Sequence, residues 1–446
     1  MALFLAGVAN RIIGTVYRVL LVRAAGEEVI GIFQMTLPVY RVASTLAGAG
    51  MHVAIARLSA DASGSADPDA ARRYGRVGVA LTLFTALLAA FALFATRGLW
   101  ANHFLTDRRT IVALSVLPLL LVPAALCQAL RGVLQGEERL LPLAYSGLAE
   151  AISRVPIVLF LVAWLLPLGP EWAAGGIAAG LAAGEVVSLV LLLWFISRSK
   201  LAIFKRAAAA GRPQRLSSFF ARNAKTAAAL TAVAVPLLFS GLVNGILGMF
   251  NVALIPRQLL ASGMDAAEAT IQYGRLFGMA LPVLYMPMVA IHPIVQASIP
   301  AVARRIAEGR TKAVRRLLFQ CFGAAAAVAT CSSLAFLLFG EQIGRALYGI
   351  DGLGALITPL AVAAPFAYLG HVAAGVLYGL GRTGITMANT IAGNIMRLSL
   401  IYLLVANPAW GIRGALWAVV ADYALTSILD LAAAYVLMRR SLRPQR

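Results

Sequence analysis

The sequence predicts an all-α membrane protein of about twelve transmembrane helices, arranged as two parallel repeats of six helices. Three observations carry this prediction: the composition, the spacing of the apolar segments and an internal repeat. The chain of 446 residues is 61% hydrophobic and only 13% charged, with a mean hydropathy of +0.85. A soluble domain has roughly 25% charged residues. The composition therefore indicates a polytopic protein with most of its surface in lipid.

Apolar segments long enough to cross a bilayer, which takes about 20 helical residues, recur along the whole chain. Short polar loops, or loops with glycine and proline, separate them. The predicted spans are about 2–23, 31–56, 77–97, 111–134, 141–166, 174–197, 227–252, 272–302, 313–339, 354–378, 384–406 and 411–437. The apolar N-terminus is interpreted as a retained first span, because Arg11 interrupts it and no clean cleavage site follows.

The longest polar stretch divides these spans into two groups of six. It predicts an N-terminal lobe over 1–200, a cytoplasmic linker over 201–225 and a C-terminal lobe over 226–446. Four motifs recur in the same order in both halves, and they begin at Gly7 and Gly241, Leu37 and Leu281, Gly132 and Gly375, and Gly176 and Gly411. An even number of spans per half makes the repeats parallel, as in transporters whose halves rock about a midplane site.

Arginine and lysine are distributed unevenly between the loops. With a cytoplasmic N-terminus, 25 of the 38 lie in cytoplasmic segments and seven lie in external loops. Cytoplasmic loops of membrane proteins collect these residues, so both termini of this multi-pass protein are predicted in the cytoplasm and the spans in the plasma membrane. The same bias accounts for the net charge of +20. No basic domain interleaved with aromatic residues suggests a nucleic-acid partner.

Arg11 and Arg18 lie inside the first predicted span and on one face of it, because their spacing is nearly two helical turns. A charge at bilayer depth costs roughly 2.5–3.5 kcal/mol, so it is retained where it faces water, a partner or a ligand. Arg41 and Arg275 add cations in the second and eighth spans. Arginine binds phosphate by charge-assisted, often bidentate hydrogen bonds. These four residues predict a phosphate-binding site; snorkelling to the interface or pairing with an acid is the alternative.

The other intramembrane charges are candidates for ion pairs or for sites of a coupling ion. Glu150 and Arg154 are spaced for a pair on one helix. Arg397, the repeat mate of Arg154, has Gly393 in place of the glutamate, and Asp422 on the last span is its candidate partner. Proton or cation binding is the alternative role for three acids, which are Glu185, Asp422 and Asp430.

The remaining polar residues of the spans suggest structure rather than chemistry. Pro38 and Pro282 occupy matching span interiors and predict kinks or gating hinges, since proline removes a backbone hydrogen bond. His52, His292 and His371 lack metal-ligand spacing and are interpreted as helix-packing residues. Nothing resembles a nucleophile–base pair, a metal site or a nucleotide fold, so neither an enzyme nor a cofactor is predicted.

Several motifs resemble one known family over essentially the whole chain. The run from Asn10 to Arg18 and the run from Gly31 to Pro38 resemble the opening of the multidrug/oligosaccharidyl-lipid/polysaccharide (MOP) flippase superfamily. The branch they resemble most is that of stage V sporulation protein B among the polysaccharide transporters. The segment 131–136, Arg-Gly-Val-Leu-Gln-Gly, is similar to the R-G-x-x-Q-G loop of that family.

The resemblance implies a MATE-like fold and a role in transport. Related lipid II flippases carry arginines on the first, second and eighth spans, in a central cavity thought to receive the substrate diphosphate, and the matching residues are Arg11, Arg18, Arg41 and Arg275. The implied partners are a polyprenyl-diphosphate-linked glycan and, as further candidates, cell-wall synthesis enzymes. These relatives usually have two more spans, which are implicated in holding the polyprenyl tail.

The sequence therefore predicts a flippase that moves an undecaprenyl-diphosphate-linked oligosaccharide or a lipid II-like peptidoglycan precursor across the plasma membrane by alternating access. The alternatives are a cation-coupled multidrug exporter of the same superfamily and a membrane-embedded enzyme that acts on glycan lipids. The exporter requires an acid that faces the cavity of the N-terminal half, typically an aspartate on the first span, and this first span has none. The enzyme requires acidic metal ligands or a catalytic histidine loop, and the sequence offers neither. A role in sporulation, wall growth or capsule export stays open.

Overall fold

The computed structural model describes residues 2–64, 67–198, 216–308 and 310–441, and these residues form helices joined by short turns, with no β-strand among them. The chain forms two compact units, Met1–Val252 and Ala253–Arg446. Residues 201–215 of the predicted linker lie outside the described residues, while 216–225 already belong to a helix. The predicted lobe and linker boundaries therefore stay predictions.

The described helices of the first unit run in chain order from α1 to α7. They are α1 (Ala2–Gly48), α2 (Met51–Gly64), α3 (Pro68–Leu99), α4 (Thr110–Gly136), α5 (Leu141–Leu165), α6 (Pro170–Arg198) and α7 (Leu216–Ala261), which crosses into the second unit at its C-terminal end. A short π-helical stretch, Trp100–Phe104, extends α3, and a 3₁₀ turn, Leu166–Leu168, ends α5.

A break at Gly26 divides α1 into two segments that correspond to the first two predicted spans. Gly26 has φ 79° and ψ 172°, which is outside the helical region. Residues with a Cβ atom rarely adopt this conformation, so glycine is required here. Pro38 lies inside the second segment of α1; its role as a hinge stays a prediction.

The described helices of the second unit begin after the end of α7. They are α8 (Ala266–Tyr273), α9 (Leu281–Tyr285), α10 (Met288–Ala307), α11 (Thr311–Tyr348), α12 (Gly354–Ile357), α13 (Leu360–Gly379), α14 (Thr383–Leu404) and α15 (Gly411–Ser441). A π-helical stretch, Gly274–Ala280, joins α8 to α9, and the chain bends by 58° between α9 and α10. Pro282 lies where the π-helical stretch continues into α9, just before this bend, and its role as a hinge stays a prediction.

Close helix packing holds α2, α4, α5 and α6 together in the first unit. A Cβ atom added to Gly180 of α6 would lie 2.4 Å from the side chain of Val158 on α5. A Cβ atom added to Gly132 of α4 would lie 2.5 Å from the carbonyl oxygen of His52 on α2. Small residues allow such approach between helices in lipid, where dispersion contacts drive association.

An ion-pair network outside the predicted spans links the beginning of α4 to α1. The Arg109 guanidinium contacts the buried Asp107 carboxylate, with Nη2 to Oδ2 at 2.8 Å, and also contacts Glu28 of α1. Hydrogen bonding to Asp107, together with that to Glu28, raises the pKa of Arg109 above its usual value. Arg109 therefore stays charged at any working pH and fixes this turn to α1.

The helical spans confirm an all-α, polytopic membrane architecture. Length and hydropathy identify nine helical segments among the described residues that are able to cross a membrane, or ten if the bent pair around residue 286 is one span. The sequence-based number is higher because Gly7–Gly64 contains two predicted spans and because α14 is not among the nine. Threonines and asparagines in the first half of α14 lower its hydropathy. Bulky side chains such as Phe91 and Phe319 are 70% and 80% exposed, as on a surface that faces lipid.

The orientation of the chain gives a first testable prediction. A cysteine replacing Asp265 or Asp351, both exposed, is expected to react with an impermeant maleimide added outside intact cells. A cysteine replacing the exposed Arg310 is expected to react only after the cells are permeabilised. The native cysteines are first changed to serine. Reversed labelling of the two groups would place the termini outside and contradict the charge-bias argument.

Candidate functional site

A largely buried cluster of charged side chains lies where α4, α5 and α6 meet in the first unit. Arg131 Nη2 lies 2.9 Å from Glu150 Oε2 and donates a hydrogen bond to Ser188 Oγ at 3.0 Å. Arg154 Nη1 lies 3.3 Å from Glu150 Oε1. One carboxylate is thus shared by two guanidinium groups. Arg131, Glu150, Arg154 and Ser188 are called the α4–α5 charge cluster below.

The helices impose this arrangement. Glu150 and Arg154 lie one turn apart on α5 and therefore share a face. Gly184 of α6 makes room for the arginine stem, since a Cβ atom there would lie 3.1 Å from Arg154 Cβ. The side chains of the three ionised residues are only 15–22% exposed. At this depth the glutamate must remain paired, because an uncompensated buried charge is costly.

Three buried polar atoms in or beside the cluster have no hydrogen-bond partner among the described residues. They are Glu185 Oε2, Arg154 Nε and Tyr17 Oη. Glu185 lies on α6, and its backbone carbonyl accepts a hydrogen bond from Cys127 Sγ at 3.4 Å. A buried oxygen without a partner is typical of a group that binds water, a proton or an ion. The predicted role of Glu185 in coupling gains support from this but stays a prediction.

The first span approaches the same cluster, because α1 packs against α4 and α5. The Arg154 guanidinium carbon lies 5.2 Å from the centre of the Tyr17 ring, which is within cation–π distance. Arg18, the next residue, is partly exposed, as is Arg11, whereas Arg41 in the second segment of α1 is exposed. Neither Arg11 nor Arg41 forms an ion pair within the described residues.

Arg275 belongs to the second unit. It is partly exposed and lies in the π-helical stretch Gly274–Ala280. Such π-helical insertions occur frequently at functional sites. That Arg275 shares one cavity with the arginines of α1 stays a prediction.

The second unit contains an ion pair at the position that repeats Arg154. Arg397 Nη1 lies 3.1 Å from Asp422 Oδ2, and Arg397 also donates to Asn394. A Cβ atom on Gly393 would lie 2.2 Å from Asp422 Oδ1 and equally close to Thr426 Oγ1. The glycine that replaces the glutamate of the first half thus leaves space for an acid from α15. This geometry favours a structural ion pair over a coupling site for Asp422.

Sequence reasoning missed two contacts, one in the α4–α5 charge cluster and one between α14 and α15. The total of 25 cytoplasmic residues includes Arg131, whereas the structure has Arg131 in α4 and paired with Glu150. Its position inside the predicted span 111–134 was the available signal. Asn389 donates to Asp430 Oδ1 at 2.8 Å across α14 and α15, and no spacing rule relates these two residues. Within the described ranges, no group of three metal-binding side chains is close enough to hold a metal ion.

Comparison with known sequences gives consistent matches. The sequence profile of the family described as polysaccharide biosynthesis protein matches residues 1–306. The chain is 29% identical over 437 residues to stage V sporulation protein B of Bacillus subtilis (strain 168), covering 96% of the chain and 82% of that relative. It is 21% identical over 425 residues to the lipid II flippase MurJ of the same organism, covering 88% of the chain and 74% of the relative.

Comparison with solved structures shows the same fold. An inward-facing multidrug resistance MATE family transporter of the MOP superfamily has a TM-score of 0.74 at 15% identity, over 98% of this chain and 96% of that one. A MOP superfamily transporter from Pyrococcus furiosus, described by the reverse polarity of its binding pocket, has a TM-score of 0.64 at 15% identity, over 99% and 96% of the two chains. At these identities the likeness shows the fold alone.

Proposed function

Because the chain belongs to the polysaccharide biosynthesis protein family of the MOP flippase superfamily, we propose that it flips a polyprenyl-diphosphate-linked oligosaccharide or peptidoglycan precursor across the plasma membrane. The family resemblance drawn from the N-terminal motifs and the MATE-like helical fold are confirmed. The chain is a multi-pass membrane protein of a transporter and flippase superfamily. The lipid-linked substrate is the proposed part.

An excess of positive charge inside the first unit carries the proposal. Inside the predicted spans of this unit, with their terminal residues excluded, the arginines are Arg11, Arg18, Arg41, Arg131 and Arg154, and the glutamates are Glu150 and Glu185. Glu150 is already shared by Arg131 and Arg154. Arg11 and Arg41, which form no ion pair within the described residues, favour an anionic ligand, because charge at membrane depth is stabilised by a partner of opposite sign. A diphosphate fits this requirement with several strong acceptor oxygens.

The arginines divide into binding and positioning residues in this proposal. Arg11 and Arg41 form no ion pair among the described residues, so their guanidinium groups are available to hold phosphate oxygens by bidentate hydrogen bonds. Arg18 of the first unit belongs to the same proposed diphosphate site, and a role of Arg275 of the second unit in substrate binding stays a prediction. The α4–α5 charge cluster keeps α4 and α5 in place beside α1. The glycan occupies the hydrated part of the pathway, and no bond of the substrate is made or broken.

The orientation and partners follow from the same proposal. Both termini are proposed to lie in the cytoplasm, where lipid-linked precursors are assembled, and enzymes that consume the precursor outside are candidate partners. Glu185, with its buried and unpartnered Oε2, is the proposed coupling residue of the first unit. A multidrug exporter is the weaker candidate, because the described part of the first span carries arginines and no acid that attracts an organic cation.

A reconstitution experiment tests the proposed function. Purified wild-type protein in liposomes is expected to move fluorescent lipid II between leaflets, so that a membrane-impermeant quencher reduces the signal beyond the outer-leaflet fraction. Fluorescent phosphatidylcholine in the same liposomes is expected to remain protected in the inner leaflet. Equal movement of both lipids, or movement of an organic cation such as ethidium without lipid II, would contradict the proposal.

A further inference from the structure

Two histidines that are 79 residues apart in the sequence are in contact inside the second unit. His292 Nδ1, on α10, lies 3.2 Å from His371 Nε2, on α13. The rings are nearly parallel, with 15° between their planes and 5.3 Å between their centres. Gln296, one turn along α10, places its amide nitrogen 3.4 Å from His292 Nε2. Simple packing between helices does not require this chain of polar contacts.

The contact places one proton between the two rings of the neutral pair, whichever way the Gln296 amide is turned. If the amide nitrogen donates to His292 Nε2, then His292 Nδ1–H donates to His371 Nε2. If the amide oxygen accepts from His292 Nε2–H, then His371 Nε2–H donates to His292 Nδ1. In both arrangements one ring nitrogen outside this contact is left to take an additional proton.

His371 lines a cavity of about 230 Å³ within the second unit, together with Asp430 of α15, so water has room beside His371. Two buried hydroxyl oxygens on its wall, Thr386 Oγ1 and Ser427 Oγ, have no hydrogen-bond partner among the described residues. Such atoms are typically satisfied by buried water. A hydrated cavity of this kind gives protons access to His371.

Among the described residues that line the cavity, one titratable group is an acid. The titratable side chains on the wall besides His371 are Tyr285 of α9, Tyr378 of α13, and Tyr423 and Asp430 of α15. The wall residues of α14 are Thr386 and Thr390. Asp422 of α15 is paired with Arg397 of α14. Helix α11 carries Cys321 and Cys331 along its length, and the charged residues of α10 and α11 lie near their ends: Arg304, Arg305, Lys312, Arg315, Arg316, Glu341 and Arg345.

The geometry allows the pair to hold one additional proton but not two. With one proton added, His292 carries N–H on both ring nitrogens. Its Nδ1–H donates to His371 Nε2, and its Nε2–H donates to the Gln296 side-chain oxygen once that amide has turned. A second proton would put N–H groups on both sides of the 3.2 Å contact and place two cations side by side. Like charges in the membrane interior repel strongly, so double protonation requires α10 and α13 to separate.

We propose that His292 and His371 form a single-proton binding site that couples proton uptake to transport. The coupling rests on the proposed flippase function. One added proton converts a neutral hydrogen bond into a charge-assisted bond, which is roughly twice as strong. The conformation that joins α10 to α13 is therefore stabilised as the pair becomes protonated. Asp430, on the wall of the same cavity, favours the cationic pair. Release of the proton to water weakens the contact between His292 and His371 again.

A histidine titration tests the site without any substrate. Protein with ¹⁵N-labelled histidine in lipid nanodiscs has four histidines, and the double variant His52→Gln/His103→Gln leaves only the pair visible. The pair is expected to titrate in two steps separated by more than about one pH unit, as coupled groups do. In the His371→Gln protein, His292 is expected to titrate in one step at a different pH. A single common step for both histidines, or an unchanged His292 titration in His371→Gln, overturns the proton site.

A flipping assay under an imposed pH gradient tests the coupling. Wild-type protein and the His52→Gln control are expected to flip fluorescent lipid II at a rate that changes with the gradient. His292→Gln and His371→Gln are expected to lose that response. If the wild type flips lipid II with no response, or both pair variants respond like the control, the coupling is overturned. If the wild type flips no lipid II, the proposed function fails together with the coupling, and the titration still decides whether the pair binds one proton.

Discussion

Glutamine in place of Glu150 is expected to destabilise the protein by about 3–5 kcal/mol, because it removes the carboxylate that two buried arginines share. Arg131 and Arg154 would keep their positive charges at a depth where their side chains are 21% and 22% exposed. Neutral glutamine retains the shape of the side chain and one acceptor, so the loss measures charge rather than packing. The measurement is the free energy of unfolding in mixed micelles, obtained by titration with a denaturing detergent.

Two further variants make this result specific. Arg154→Gln is expected to cost less, because Glu150 then remains paired with Arg131 at 2.9 Å. Glu138→Gln is the matched control, since Glu138 is exposed and forms no ion pair among the described residues. If Glu150→Gln destabilised the protein no more than the control, the α4–α5 charge cluster would not hold these helices together.

Alanine in place of Arg11 is expected to reduce lipid II flipping by roughly ten- to hundredfold. A hydrogen bond to a charged group contributes about 1.5–3 kcal/mol, and about 1.4 kcal/mol corresponds to a factor of ten. The unfolding free energy is expected to change little, because Arg11 forms no ion pair within the described residues. Arg18→Ala and Arg41→Ala are expected to impair flipping in the same assay.

The chemistry of the side chain distinguishes phosphate binding from a general need for charge. Arg11→Lys is expected to recover only part of the activity, because an ammonium retains the charge and loses the planar fork that binds two oxygens. Arg57→Ala is the matched control, since Arg57 is exposed on α2 and forms no ion pair in the described part of the chain. Normal flipping by Arg11→Ala at wild-type expression would remove Arg11 from the diphosphate site.

The helical spans could be predicted from the sequence because each depends on a local property, a run of apolar residues of fixed length. The boundaries of the spans are less accurately predicted where the apolar run is not ended by a polar loop. The first two spans continue as α1 with only Gly26 between them, because a positive φ is enough to break the helix without a polar loop. Helix α14 is more polar than the other predicted spans, and one of its polar side chains, Asn389, contacts Asp430 of α15.

Two ion pairs of the candidate site could be predicted from the sequence. The spacing of Glu150 and Arg154 places them on the same face of α5, and the structure has them 3.3 Å apart. The internal repeat left Arg397 without a glutamate on its own helix, which indicated Asp422 as its partner, and the structure confirms this pair. Arg131 and Glu150 meet because separate helices pack at a particular rotation and depth, which a single sequence does not give.

The central claim is that the protein binds a polyprenyl diphosphate through its intramembrane arginines. The most direct test is native mass spectrometry of the purified wild-type protein mixed with undecaprenyl diphosphate and an excess of phosphatidylglycerol. The expected result is a protein peak that retains one undecaprenyl diphosphate at detergent-stripping energies, with this adduct lost in Arg11→Ala and kept in Arg57→Ala. Retention of undecaprenyl diphosphate no stronger than that of phosphatidylglycerol, or equal retention by all three proteins, would contradict the claim.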